Sequence, residues 1–355
     1  MAFNPTVLSN WTLNPENIQT LREVIETDIR EDEAIQQFTT IQYGVKSGDP
    51  IATIGAPDNI GKKGAGCDPT YTKFGIANGK QVWELGEWSA PHKICYADML
   101  GTYAQKFMKG GTEIGDIDGN LLELFTDKFS TAFRRAIWRM GWFGDTAADN
   151  IANGGVITAG VDPDLFNAAD GLWKKLFAIG TADASKVTAI AANAQTTYAA
   201  QKNGILTAGV ATGIFDKFLT DAPTTLLSDP NGVVICTRQL ANALMLDVRN
   251  TYKSNMEWRT IFEGFEVSEY FGIKVARCNI LDRFINEFEN TGAKWNKPFR
   301  AVFTTVDNLR IGINGDNVTN DFEVFFDQVA RDVKLYASGF IGSAVVNPAN
   351  LHLAY

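Results

Sequence analysis

From Gly55 to Gly79 the chain places Gly55, Pro57, Gly61, Gly64, Gly66, Pro69, Gly75 and Gly79 so densely that neither a helix nor a strand interior can persist there. Before it, Ile41, Tyr43 and Val45 alternate with Thr40, Gln42, Gly44 and Lys46, the period of a half-exposed strand. After it, residues 80–88 read as a second extended stretch, with Trp83 and Leu85 on one face. The connection is far too long for a tight turn, and long irregular connections in compact domains are functional or disordered. The expected object is a projecting two-stranded loop. Such a ribbon is marginal alone in water and needs a surface to lie on.

The other segments are ordinary by comparison. Asn14-Pro15-Glu16 suits a helix start, with Asn as N-cap, Pro at the first helical position and an acid near the positive end of the dipole. Ile18, Leu21, Ile25 and Ile29 then form one narrow apolar stripe, which suits docking either on the same domain or on a neighbouring molecule. The longest amphipathic helix is expected over 119–141, with Leu122, Phe125, Phe129, Phe133, Ala136 and Met140 on one face. Glu123 and Asp127 lie early in it and Arg134, Arg135 and Arg139 late, as the helix dipole favours, and Gly141 and Gly144 mark its end. A third helix is expected to open at Asp162-Pro163, with Leu165, Ala169, Leu172, Leu176 and Ile179 on one side. After Pro230-Asn231-Gly232 come a short strand at 233–236 and a helix carrying Leu240, Leu244 and Val248. Strands are expected at 301–306, 309–313, 322–326 and 333–341.

A length of 355 residues suits about two domains, and 45% hydrophobic residues supply their cores. The net charge of -9 argues against a protein whose main task is gripping nucleic-acid phosphates, although a container that merely encloses nucleic acid remains compatible with it. Cys67, Cys95, Cys236 and Cys278 include no C-x-x-C pair and are expected as free thiols in a reducing compartment. Residues 1–11 lack a secretory pattern, and no apolar run is long enough to span a bilayer, so synthesis in the cytosol without membrane insertion is expected.

Motifs for chemistry are weak. His92 and His352 are the two histidines, and neither lies in a nucleophile motif. Residues 55–63, G-A-P-D-N-I-G-K-K, approach a phosphate-binding loop. They carry one residue too many between the glycines, and Lys63 stands where a metal-binding Ser or Thr belongs. Asp116-Ile117-Asp118-Gly119-Asn120 resembles the start of a calcium loop, but its glycine comes too early and no bidentate Glu follows at the right distance, so helix capping is the expected role. Asn317-Val318-Thr319 matches a glycosylation acceptor, which has no meaning without secretion. No catalytic residue, cofactor site or metal site is expected.

Three strings carry a resemblance: Gly61-Lys62-Lys63-Gly64-Ala65-Gly66-Cys67-Asp68-Pro69, Trp142-Phe143-Gly144-Asp145-Thr146-Ala147-Ala148-Asp149-Asn150, and Asp170-Gly171-Leu172-Trp173-Lys174-Lys175-Leu176-Phe177-Ala178-Ile179. With the order of elements and the ending Ala344-Val345-Val346-Asn347-Pro348, the chain resembles tailed-phage major capsid proteins, and within them those of phages of Bacteroides-type gut bacteria. The resemblance implies the α+β capsid fold named for the Hong Kong phage. It assigns residues 1–37 to an N-terminal arm, 38–97 to an extended β-loop, 98–164 and 299–343 to a peripheral domain with a long spine helix, and 165–298 and 344–355 to an axial domain. It further implies a non-enzymatic subunit that assembles with itself, as hexamers and pentamers, into an icosahedral shell around double-stranded DNA, without sequence-specific binding. A portal and a separate scaffolding protein are the implied partners, with assembly in the host cytoplasm and final residence in the virion. Some relatives cross-link a loop lysine to a neighbour, and Lys62 and Lys63 at the loop tip are the positions that resemblance offers. The rival expectations are an encapsulin-type nanocompartment shell, which resembles the same fold but encloses an enzyme, and a cytosolic enzyme with an unrecognised site.

Overall fold

The computed structural model describes residues 15–30, 38–54, 78–95, 119–148, 158, 160–253, 256–262, 265–327 and 332–355. They fall into two compact units. The first draws on the described residues within Met1–Val45, Leu85–Lys174 and Ile311–Ser343, the second on those within Lys46–Glu84, Lys175–Arg310 and Ala344–Tyr355.

In the first unit, helix α1 (Pro15–Arg30) packs on helix α2 (Gly119–Phe143) and strand β12 (Asp321–Asp327). Leu21 and Ile25 of its apolar stripe are buried, so this helix docks on its own chain. Strands β1 (Thr40–Gln42), β11 (Leu309–Ile313), β13 (Asp332–Val345) and β12 form a sheet in that order, and β4 (Gly86–Cys95) also pairs with β13. Beneath it α2 buries Phe133, Ile137 and Met140, with Trp88 of β4 edge-on to Phe133 at 6.1 Å. Phe129 is only half-buried.

The helix continues through Gly141 to Phe143 because Gly141 answers a packing need and does not stop the helix. A Cβ there would stand 2.6 Å from Ile311 Cδ1. Arg139 therefore lies inside the helix, away from its last turn. It donates to the Leu165 carbonyl at 2.9 Å and stacks on Phe166, so it bridges segments instead of answering the dipole. Asp162 caps one 3-10 turn, Pro163–Leu165, and the helix proper, α3 (Leu172–Ala182), begins only after Gly171.

In the second unit, β2 (Pro50–Ile54) and β3 (Asn78–Val82) form an antiparallel ribbon from Pro50↔Val82 to Ile54↔Asn78. The ribbon's arms differ from those expected. The 41–46 stretch pairs as β1 in the first unit's sheet, then follows β11 through Gly44 N to Gly315 O (2.8 Å) and Val45 N to Ile313 O (3.1 Å). Residues 80–88 divide between β3, which pairs with β2, and β4, which pairs with β13 from Gly86 onward; at Gly86 a side chain would meet the Ala168 carbonyl oxygen at 1.6 Å. Alternation was legible there; the partner was not.

The second unit's main sheet has the order β5 (Val187–Thr188), β14 (His352–Ala354), β10 (Ala301–Thr305), β6 (Gly232–Thr237), β9 (Ile273–Cys278), β8 (Phe265–Tyr270), β7 (Arg259–Phe262). The pairs β6–β9 and β14–β5 are parallel, which requires crossover connections. Helices α4 (Tyr198–Ile205), α5 (Val210–Asp221), α6 (Thr224–Leu227), α7 (Arg238–Tyr252) and α8 (Asn279–Phe288) accompany the sheet. Phe215, Phe218, Leu240, Leu244, Val275 and Phe303 belong to one apolar cluster between helices and sheet. The near-continuous burial of β6 is what a strand covered on both faces requires.

Phe133→Ala should cost about 3–5 kcal/mol, the usual range for a buried phenyl ring. Phe129→Ala should cost only about 1–2 kcal/mol, in proportion to its partial burial. Urea melts of the soluble subunit check both; equal losses would contradict the orientation of α2 described here.

Candidate functional site

Lys62 and Lys63 lie outside the described residues, as do the near-phosphate-loop at 55–63, Asp116, Asp118 and Cys67. His92 is exposed in β4, opposite Leu335 of β13. His352 is buried, with Nε2 2.9 Å from the Thr188 hydroxyl, and burial holds its imidazole below the ordinary value, helped by Lys217 and opposed by Asp221. Cys236 and Cys278 are buried free thiols; burial raises both, Cys278 to about 12, so neither supplies a thiolate near neutral pH. Asp282 is pushed up to about 6 by burial, but its oxygens receive the Arg238 and Gln239 amides, so it caps α7. Among the described residues no group of three or more His, Cys, Asp or Glu side chains is placed to hold a metal ion, and no helix is long and apolar enough to cross a membrane.

Two polar arrangements stand out, and both fasten segments together. In the first, Glu26 of α1 is buried and its carboxylate receives Val318 N (2.8 Å), Thr319 N (2.8 Å) and the Thr319 hydroxyl (2.6 Å). Arg22, one turn earlier, donates to the carbonyls of Thr319 and Asn320. Helix α1 thus grips residues 318–320 through charge-assisted hydrogen bonds. The threonine of the apparent glycosylation acceptor is occupied by this contact. Sequence reasoning passed over Glu26, whose one visible sign is an acid directly beside the stripe residue Ile25.

The second arrangement joins two of the strings that carried the resemblance. Lys174 of α3 donates to Asp145 (2.6 Å), Asp170 (2.7 Å) and the Thr146 hydroxyl (3.1 Å), and Thr146 donates to Asp170 through its amide (2.9 Å) and hydroxyl (2.7 Å). Below them Gly171 N bonds Gly144 O at 2.8 Å, and Trp142 meets Trp173 with ring centres 5.8 Å apart. Burial opposes charge on Asp170, but the bonds from Lys174 and Thr146 outweigh it and hold the carboxyl below its ordinary value. Burial likewise opposes charge on Lys174, and its two carboxylate partners lift it above the ordinary value. A lysine held charged is a poor nucleophile. The cluster is therefore a clasp.

No protein-family profile matches the chain, and no curated protein does. Among solved structures, a chain of the satellite phage P4 procapsid, a particle including the size determination (Sid) protein, is similar at 15% identity and a TM-score of 0.53, covering 95% of this chain and 98% of that one. A chain of Mycobacterium phage Ogopogo is 10% identical with a TM-score of 0.48, covering 91% of each chain. A chain of the holo-SrpI encapsulin complex from Synechococcus elongatus PCC 7942 is 8% identical with a TM-score of 0.47, covering 90% of this chain and 85% of that one.

Two outcomes follow from the fastenings. Glu26→Ala leaves three donors without their acceptor and should weaken α1 docking by on the order of 3 kcal/mol; tryptic cleavage within α1 should then quicken while the second unit's melting is unchanged. Asp170→Asn should cost about 1–2 kcal/mol at pH 7, discounted for its partial exposure. A depressed carboxyl stabilises above its unfolded value and loses that contribution as pH falls, so the deficit should shrink below about pH 4. Thermal melts across pH check this; a deficit constant down to pH 2 would contradict it. On the likeness to the P4 procapsid chain over nearly the full length of both, this chain has the α+β fold of tailed-phage major capsid proteins.

Proposed function

We propose that the chain is a major capsid protein, a structural subunit whose copies tile a closed icosahedral shell around a phage genome. The observation that carries this reading is the full-length likeness to a phage procapsid chain. Supporting it, the polar clusters at Glu26 and Lys174 fasten segments of the chain, and the chain is acidic, at -9. A strongly basic lining would pin phosphates and hinder packing and release of DNA. On this reading the protein is not an enzyme. Its copies form hexamers and pentamers, a portal and a separate scaffolding protein complete the particle, and assembly takes place in the host cytoplasm before the subunit resides in the virion.

Residues 1–37 then serve as the arm, 38–97 as the extended loop with the β2–β3 ribbon as its stem, 98–164 and 299–343 as the peripheral domain with α2 as spine helix, and 165–298 with 344–355 as the axial domain. The reading further assigns Lys62 and Lys63, from the resemblance, to contact with a neighbouring subunit. The kinship with phages of Bacteroides-type gut bacteria rests on the three strings given above, two of which meet at the Asp145–Lys174–Asp170 clasp.

Electron microscopy of the purified protein tests the reading: closed shells support it, and isolated subunits at all concentrations overturn it. Shells made in cells that enclose an enzyme instead of DNA would assign the chain to nanocompartments. The loop has its own test. Because Ile54 pairs with Asn78, replacing residues 55–77 by Asn-Gly closes the ribbon as a two-residue hairpin. That variant should keep its circular dichroism and cooperative melt yet run as monomers or small oligomers. Full-size particles would show that the loop carries no contact between subunits.

A further inference from the structure

Strands β8 and β9 are joined by Phe271-Gly272 alone, since Tyr270 pairs directly with Ile273. Both linking residues have positive φ, +44° at Phe271 and +87° at Gly272, as a type I′ hairpin turn requires. Glycine adopts this region freely and asparagine tolerates it, but for a bulky side chain it is a true outlier. The strain does not serve the subunit's core. Phe271 is 64% exposed, the greatest exposure of any large hydrophobic side chain among the described residues, and Tyr252, its neighbour at 5.9 Å, is 51% exposed.

The turn is firmly mounted. Tyr270 is buried, packs edge-on to Phe271 at 4.8 Å and donates its hydroxyl to Asp216 at 2.8 Å. Beside the two exposed rings runs an open groove of about 700 Å³, in which Met256 and Val267 are half-buried. Its charged side chains are two acids, Glu257 and Glu269, and two bases, Arg259 and Lys274, all exposed. A rim with equal numbers of each sign does not suit a polyanion such as DNA or an anionic membrane, both of which select for clustered bases. It does suit another surface with the same mixture, and copies of a chain with net charge -9 repel unless their contact sets opposite signs together.

We infer that the Phe271–Tyr252 knob and the groove beside it form a contact with a second copy of this chain, with Phe271 held in a strained turn so that its ring projects into the neighbour. A strained backbone kept at a bulky residue points to a function for that residue, and an aromatic anchor seated in a partner's groove is the usual centre of a protein contact. The inference rests on the shell reading for the number of copies, but the contact itself needs only two.

The experiment exploits opposite signs. Phe271→Asn supplies a residue suited to the turn, so the variant's melting temperature should equal or exceed that of the parent protein. Its assembly threshold, read by analytical ultracentrifugation, should rise by about tenfold or more. Phe271→Leu keeps apolar bulk at the same position and should restore assembly to within a few-fold. An unchanged threshold for Phe271→Asn overturns the inference. Loss of the circular dichroism spectrum also overturns it, by placing the ring in the subunit's own core. If the parent protein forms no shells, the shell reading fails by itself. The contact then stands only if concentration-dependent small oligomers of the parent disappear in Phe271→Asn, and it falls if the parent is monomeric throughout.

Discussion

A Cβ on Gly171 would stand 2.5 Å from the Gly144 nitrogen, and one on Gly144 would stand 2.2 Å from the Ala169 carbonyl oxygen, so the end of α2 and the start of α3 meet backbone to backbone with no space for a side chain. This approach sets much of the first unit. It brings Trp142 onto Trp173, carries Lys174 over Asp145 and Asp170, and lets Ser343 reach the Asp170 carbonyl at 2.7 Å. The ion pairs are partly exposed and would be worth little in isolation. Their value here is positional, since they close over a junction whose geometry the two glycines have already determined.

The second unit is held by different means. Its apolar cluster spans both the helices and the strands, and two of the unit's buried charges tie separate segments together. Asp247 receives the amides of Gly209 and Thr212 and so fixes the start of α5 against α7. Arg300, entirely buried, pairs with Glu289 and donates to the carbonyls of Asn296 and Lys297. Such groups are costly to bury and are tolerated because each has its partners.

How much of this was legible in the sequence depended on whether an element's character is local. The stripe Leu21–Ile25 and the run 233–236 appear where periodicity and burial place them, because side-chain spacing alone reports which face is covered. Partners are not local. The alternation at 41–45 was visible, but nothing in it says that the strand joins β11 instead of its sequence neighbour across the loop. Gly141 reads as a helix stop, yet its cause is Ile311, far away in the chain. The hairpin of β8 and β9 went unread because Phe271 occupies the turn position where Asn or Asp would have signalled it. Two of the three strings that carried the resemblance touch one another through Lys174, a contact that spacing alone does not announce.

The place of β14 in the second sheet has a temporal consequence. His352–Ala354 lies between β5 and β10, bonding Leu353 to Val302 on one side and pairing in parallel with Val187 on the other. An interior strand is therefore supplied by residues that leave the ribosome after every other strand of that sheet. Until they emerge, the facing edges of β10 and β5 have no ladder partner. Closure of the sheet therefore waits until translation has passed residue 354.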